Sequence, residues 1–126
     1  MTDRQFANRL SLGKISEGIA VRYLRRKRFK IIGRNYYCRA GELDIIAKRG
    51  PIFIFVEVRS IREGFFEDPL DSITPLKIER IKTLAQIWLM NNRIDNVPVR
   101  FDAIGIIHNK RFFGKRYTIT HIQDAF

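Results

Sequence analysis

Two apolar runs meeting at a single turn constrain this chain more than any other stretch. Gly41-Glu42-Leu43-Asp44-Ile45-Ile46-Ala47 is followed by Lys48-Arg49-Gly50-Pro51 and then by Ile52-Phe53-Ile54-Phe55-Val56-Glu57-Val58-Arg59. Both runs are rich in β-branched and aromatic residues and the Gly-Pro step is a strong breaker, so the spacing predicts two antiparallel strands. The second run is apolar on both faces until its end, which implies a strand covered on both sides. Glu57 is then an expensive place for a carboxylate without a partner. Pairing Lys48 with Pro51 or with Phe53 sets even positions against odd ones. With strict alternation, Glu42, Asp44 and Ile46 would share a face with Phe53, Phe55, Glu57 and Arg59. A slip by one residue would send Glu57 to the other face. The register expected here gathers three carboxylates and a guanidinium, an arrangement that repels itself unless a cation or a shared proton intervenes.

The chain has 126 residues and 45% hydrophobic content, enough for one real core, and is read as one domain over 1–126. Its start, Met1-Thr2-Asp3-Arg4-Gln5, is no signal peptide and no apolar run reaches membrane-spanning length, so a cytoplasmic location without a membrane partner is expected. A single cysteine, Cys38, excludes an internal disulfide and reads as a strand residue rather than a nucleophile. His108 and His121 show no ligand spacing with each other or with Cys38.

The net charge is +11, and residues 1–50 hold thirteen Lys or Arg against Asp3, Glu17, Glu42 and Asp44. A basic half that also contains candidate site acids suggests a polyanion partner with a metal-charged centre, because carboxylates alone repel phosphate. A solvated basic surface that only aids solubility is the alternative.

Leu12, Ile15, Ile19, Ala20, Tyr23 and Leu24 recur at helical spacing, with Ser11 as the expected cap and Glu17 at the border of the stripe. Arg22, Arg25, Arg26, Lys27 and Arg28 load the end of this helix, which suits the negative end of its dipole as well as a phosphate backbone. Phe29 to Tyr37 reads as a first strand. Arg34, Tyr36, Tyr37 and Arg39 interleave cations with rings, a pattern that grips phosphate and stacks on bases. After Arg59 the period is lost, and Ser60 to Pro69 is expected to be a mobile loop. Phe65 and Phe66 in it serve either as a lid or as part of a homodimer contact. Thr74-Pro75 starts a second helix to about Asn91, with Lys77 outside its apolar stripe. Val99 to Ile107 is a buried strand, in which Asp102 is read as a buried partner for an arginine or as a fourth site acid. Tyr117 to Ile122 is an edge strand. The order helix, three strands, helix, two strands makes an α/β or α+β sandwich on a mixed central sheet.

Asp44, twelve intervening residues and then Glu57-Val58-Arg59 resembles the core of the PD-(D/E)XK nuclease superfamily, the fold of restriction endonucleases and archaeal Holliday junction resolvases. More closely, the chain resembles the YraN family of small bacterial proteins, through Gly41 to Ala47, Phe55 to Arg59, Arg100-Phe101-Asp102 and Gln123-Asp124-Ala125-Phe126. The resemblance implies a restriction endonuclease-like α/β fold whose mixed sheet is flanked by helices. It also implies that Asp44, Glu57 and the main-chain carbonyl of Val58 hold Mg²⁺ or Mn²⁺, and that Glu17 is the acid contributed by the first helix. The catalytic set so implied is Asp44, Glu57, Arg59 and Glu17. The expected nucleic-acid contacts are Arg22, Arg25, Arg26, Arg28, Arg34 and Arg39, with Glu42, Lys77 and Asp102 in support. Arg59 departs from the superfamily's lysine, and Lys77-Ile78 departs from the Lys-Gln of closer relatives. A guanidinium stays charged, so it orients water or stabilises developing charge but does not deprotonate water. The implied activity is metal-dependent hydrolysis of DNA phosphodiesters, with branched structures among the substrates. The rival is a non-catalytic nucleic-acid-binding module of the same fold.

Overall fold

The computed structural model describes residues 3–64, 68–110, 114 and 116–126, with side chains from Leu12 onward. Helix α1 (Asp3–Arg26) leads into strands β1 (Lys30–Cys38), β2 (Gly41–Arg49) and β3 (Ile52–Arg62). A short 3-10 turn (Pro69–Ser72) and helix α2 (Pro75–Asn91) then lead to β4 (Val99–His108) and β5 (Tyr117–Ile122). The five strands pair in chain order, all antiparallel except β3 with β4. That parallel step needs a crossover, and the 3-10 turn with α2 supplies it. The expected α/β class and mixed sheet are therefore present.

Sheet and helices meet in two apolar layers. Ile45, Ala47, Ile54, Val56, Ile104 and Ile106 pack with Ile19, Ala20, Val21 and Leu24 of α1. Ile46, Phe53 and Phe55 pack with Ile81, Leu84, Ala85 and Trp88 of α2, a stripe at i, i+3, i+4 and i+7. Strand β3 thus sends alternate residues into both layers, which is why its sequence is continuously apolar. Phe55 is fully buried, and truncating it to Ala would cost about 3–5 kcal/mol. Gly105 leaves room for the crossover: a Cβ there would stand 3.1 Å from both Pro69 and Leu70 side chains.

Helix α2 begins as expected, with Thr74 Oγ1 accepting from the Lys77 N–H at 3.2 Å and Pro75 in the first turn. Helix α1 starts earlier than its apolar stripe suggested, so Ser11 lies inside it and does not cap it. Its end is closed by the Phe29 N–H donating to the Leu24 carbonyl and the Arg28 N–H to that of Arg25, both at 3.0 Å. This paired closure normally uses glycine in the left-handed position. Arg28 holds it at φ 68°, a conformation that costs a side-chain-bearing residue about 1 kcal/mol.

The expectation of a loop from Ser60 onward is corrected: β3 continues to Arg62, pairing with β4 through Arg62↔His108. The parallel partner stabilises a stretch whose own period is weak. Phe65 and Phe66 lie outside the described residues.

Candidate active site

The register Lys48↔Phe53 holds as expected and runs to Ile45↔Val56. One step further the same register sets Asp44 beside Glu57, where regular pairing ends. On the other side of β2, Arg34↔Ile45 and Tyr36↔Leu43 pair around Asn35, which takes the left-handed φ of 51°. Alternation breaks at this level in both strands. Leu43 joins the α2 layer while Ile45 joins the α1 layer. Arg34 reaches Glu17 of α1 while Tyr36 packs in the α2 layer.

This break corrects the expectation of one shared face. Ile46 lies on the α2 side. Glu42 and Asp44 line a cleft of about 290 Å³ beneath α1 with Gly13, Ser16, Glu17, Asn35, Tyr37, Val58 and Ser60. Glu57 follows Phe53 and Phe55 to the α2 side, where Lys77 meets it. At the level of this break Asn35 is left-handed and Asp44 lies in the seam between β2 and β3, bonded to the Val58 main chain. From there it touches both sides. Its Oδ2 accepts from the Val58 N–H at 2.9 Å, and its carboxyl adjoins that of Glu57.

Glu57 is 4% exposed. Burial first, and the Asp44 charge second, push its carboxyl up to about 7, against the pull of Lys77 and Arg59. Burial also raises Asp44, opposed by the Val58 N–H and by the Lys77 and Arg59 charges. Both carboxyls are thus raised, and the charge of Asp44 disfavours that of Glu57, as between any two carboxyls in contact. Arg59 Nη2 lies 3.1 Å and Lys77 Nζ 3.9 Å from the same Glu57 Oε1. The Arg59 Nε is buried without a hydrogen-bond partner, so this guanidinium has donor capacity to spare.

Glu17 reaches the cleft from α1, as expected. Arg34 Nε donates to its Oε1 at 3.3 Å and Asn35 Nδ2 at 2.8 Å. Burial nevertheless raises its pKa, with Asp44 and Glu42 adding to the rise and Arg34 opposing it. Among the described residues no three of His, Cys, Asp and Glu stand together as a ready ligand set. Asp44 and Glu57 interact in the seam, and the main chain of Val58 adjoins them.

Asp102 stands apart from this cleft. It is fully buried and accepts from Arg100 Nε at 2.8 Å and Nη2 at 3.0 Å, from His121 Nε2 at 2.8 Å and from the Asp124 N–H at 3.0 Å. These are the contacts of a buried partner for an arginine. The predicted basic contacts divide as well. Arg34 and Arg39 lie on β1 and its turn at the cleft end, whereas Arg25, Arg26 and Arg28 close α1 at the other end of β1, with Arg22 one turn before them.

Sequence reasoning missed Asn35, Ser16 and Ser60. Asn35 left a trace, since an asparagine inside a strand is a favoured occupant of positive φ. Ser16 left none; its hydroxyl donates to the Leu12 carbonyl and is 2.8 Å from His108 Nε2.

A family model described as "Uncharacterised protein family UPF0102" matches residues 16–106. A UPF0102 protein of Geotalea uraniireducens (strain Rf4) is 37% identical over 126 residues, covering 100% of this chain and 97% of its own. One of Geobacter metallireducens is 40% identical over 116 residues, covering 92% of each chain. One of Streptomyces griseus subsp. griseus is 39% identical over 104 residues, covering 80% of this chain and 86% of its own. The matched span includes Glu17, the whole β2–β3 seam and Lys77, and on these similarities the chain belongs to the UPF0102 (YraN) family.

Proposed function

We propose that this protein is a metal-dependent, endonuclease-like hydrolase of DNA phosphodiesters. The observation that supports this reading above the others is the meeting of half-buried Asp44 and buried Glu57 at the seam, bound to the Val58 main chain and flanked by Arg59 and Lys77. Two carboxylates that need a positive species between them form a donor set suited to a hard divalent ion. Asp44, Glu57 and the Val58 carbonyl would hold Mg²⁺ or Mn²⁺, with open positions left for water and substrate. The ion supplies charge neutralisation and polarises the phosphodiester.

The chain's own residues do the rest. The Val58 N–H fixes Asp44 against β3. Arg59 and Lys77 place two cations at one carboxylate, where they balance Glu57 and steady the negative charge that grows on the phosphoryl oxygens. Arg59 keeps its proton throughout. Glu17, held by Arg34 and Asn35, orients water across the cleft from Asp44. Hydrolysis then breaks the bond from phosphorus to the leaving oxygen, which takes up a proton, while the water oxygen joins phosphorus.

A second reading, a non-catalytic nucleic-acid-binding module, is favoured by one contact. Arg59 Nη2 at 3.1 Å from Glu57 already supplies a cation to that carboxylate. Titrating Mg²⁺ and Mn²⁺ while following Tm, together with cleavage of labelled branched and duplex DNA, separates the two. The enzyme reading expects a metal-dependent rise in Tm and strand scission, both lost in Glu57→Gln. Absence of both in the wild-type protein leaves the binding module.

A further inference from the structure

At the end of the sheet away from the cleft, three elements bring cations together. Helix α1 closes with Arg26 and Arg28, β1 begins with Lys30, and the β2–β3 turn opens with Lys48 and Arg49. Lys30 stands directly opposite Lys48 in the ladder, a like-charged cross-strand pair that destabilises its own hairpin. Among the described residues none of these five forms an ion pair with a carboxylate. Lys48 and Arg49 instead lie over rings, Lys48 Nζ 5.1 Å from Phe53 and the Arg49 guanidinium carbon 5.1 Å from Phe29, so their positions are set by packing.

The helix dipole accounts for Arg26 but not for Lys30, Lys48 or Arg49. Arg28 is the more telling residue, because it occupies the left-handed position at φ 68° where glycine would be at ease. A strained arginine and a repulsive lysine pair in one place indicate a patch kept for an anion that lies outside the chain.

We propose that this end of the sheet is a backbone-phosphate anchor for the same nucleic acid whose reacting phosphate enters the Asp44–Glu57 seam. The inference rests on the function proposed above and gives it a footprint. From Lys48, paired with Lys30, back to Asp44 at the seam, β2 spans about four residues, roughly 13 Å. At about 3.4 Å per base pair that is a separation of about four base pairs. The site therefore requires a duplex arm on one side of the reacting phosphate, and a shorter arm cannot occupy both contacts.

The test uses fluorescein-labelled DNA hairpins with stems of about three, six and twelve base pairs, titrated by anisotropy over a range of salt with Ca²⁺ in place of Mg²⁺ so that the probe stays uncut. Wild-type affinity should rise about tenfold or more between the shortest and the longest stem. Arg28→Gly should keep or raise Tm, because it relieves the backbone, yet weaken binding to the longest stem and reduce the salt slope by about 0.9. The triple change Arg28→Gly, Lys30→Gln, Lys48→Gln should abolish the length dependence while the shortest stem binds as before. A length step that survives the triple change overturns the anchor and leaves the proposed function standing. Wild-type protein that binds none of the hairpins overturns both.

Discussion

The backbone N–H of Val58 donates to Asp44 Oδ2 at 2.9 Å and carries the contact between β2 and β3 beyond Ile45↔Val56, the last regular pair. An amide oxygen accepts this bond as readily as a carboxylate does, so Asp44→Asn separates structure from charge. The variant should fold with Tm equal to or above that of wild type at pH 8, since a half-buried anion beside Glu57 is gone. Its Tm should no longer respond to Mg²⁺ or Mn²⁺. A preserved metal response would remove Asp44 from the donor set.

Glu57 gives the fold a pH dependence opposite in sign to that of an ordinary salt-bridged carboxylate. Its carboxyl is raised from 4.5 to about 7, so the native state binds the proton more tightly than the unfolded chain. The stabilisation is fully present below about pH 4.5 and is lost as pH rises through about 7, with a span of about 3 kcal/mol at most. Urea denaturation without metal at about pH 5 and pH 8 should show this loss in the wild type and little of it in Glu57→Gln. Equal pH profiles would show that the Glu57 carboxyl is not raised in the native state.

Lys77 and Arg59 approach one carboxylate oxygen from different elements, and their replacements should differ. Lys77→Met removes the cation that α2 brings and should slow metal-dependent cleavage about 10²-fold, with DNA affinity almost unchanged. Arg59→Lys keeps a charge beside Glu57 and should hold or raise the rate. Single-turnover cleavage of labelled DNA reads both, and a tolerated Lys77→Met would confine that ammonium to a structural role.

Asp102 belongs to the fold. Burial alone would raise its carboxyl, but hydrogen bonds from His121, Arg100 and the Asp124 N–H hold it below the ordinary carboxylate range. Its contribution is therefore present above about pH 3.8 and lost as pH falls through the lower native value. Asp102→Ala strands Arg100 and should cost about 3–5 kcal/mol in urea denaturation. The Tm increment produced by saturating divalent ion should be unchanged. Loss of that increment in a still-folded Asp102→Asn protein would move Asp102 into the site.

Much of this was legible in the chain itself, because apolar spacing reports burial. The two-sided run of β3 and the i, i+3, i+4, i+7 stripe of α2 placed the central layers, and the odd-even pairing of Lys48 with Phe53 fixed the register. The single face expected for Glu42, Asp44 and Glu57 was not legible, since it assumes an alternation that fails between Leu43 and Ile45, which enter opposite layers, and nothing in the hydrophobic pattern of β2 signals that failure. The extension of β3 past Arg59 was hidden for a different reason. It depends on β4, more than thirty residues further along the chain, and local composition carries no trace of such a partner.

Strand β3 is gripped unevenly along its length. Its bonds to β4 run without a break from Phe53↔Val99 to Arg62↔His108, whereas β2 pairs with it regularly only as far as Ile45↔Val56. The half that carries Glu57, Val58 and Arg59 is thus anchored on one flank and compliant on the other. On that looser flank Asp44 is tied to β3 by its side chain, through the Val58 N–H, while Leu43 beside it stays locked in the α2 layer, so any give in the seam belongs to the Asp44 side chain rather than to the strand.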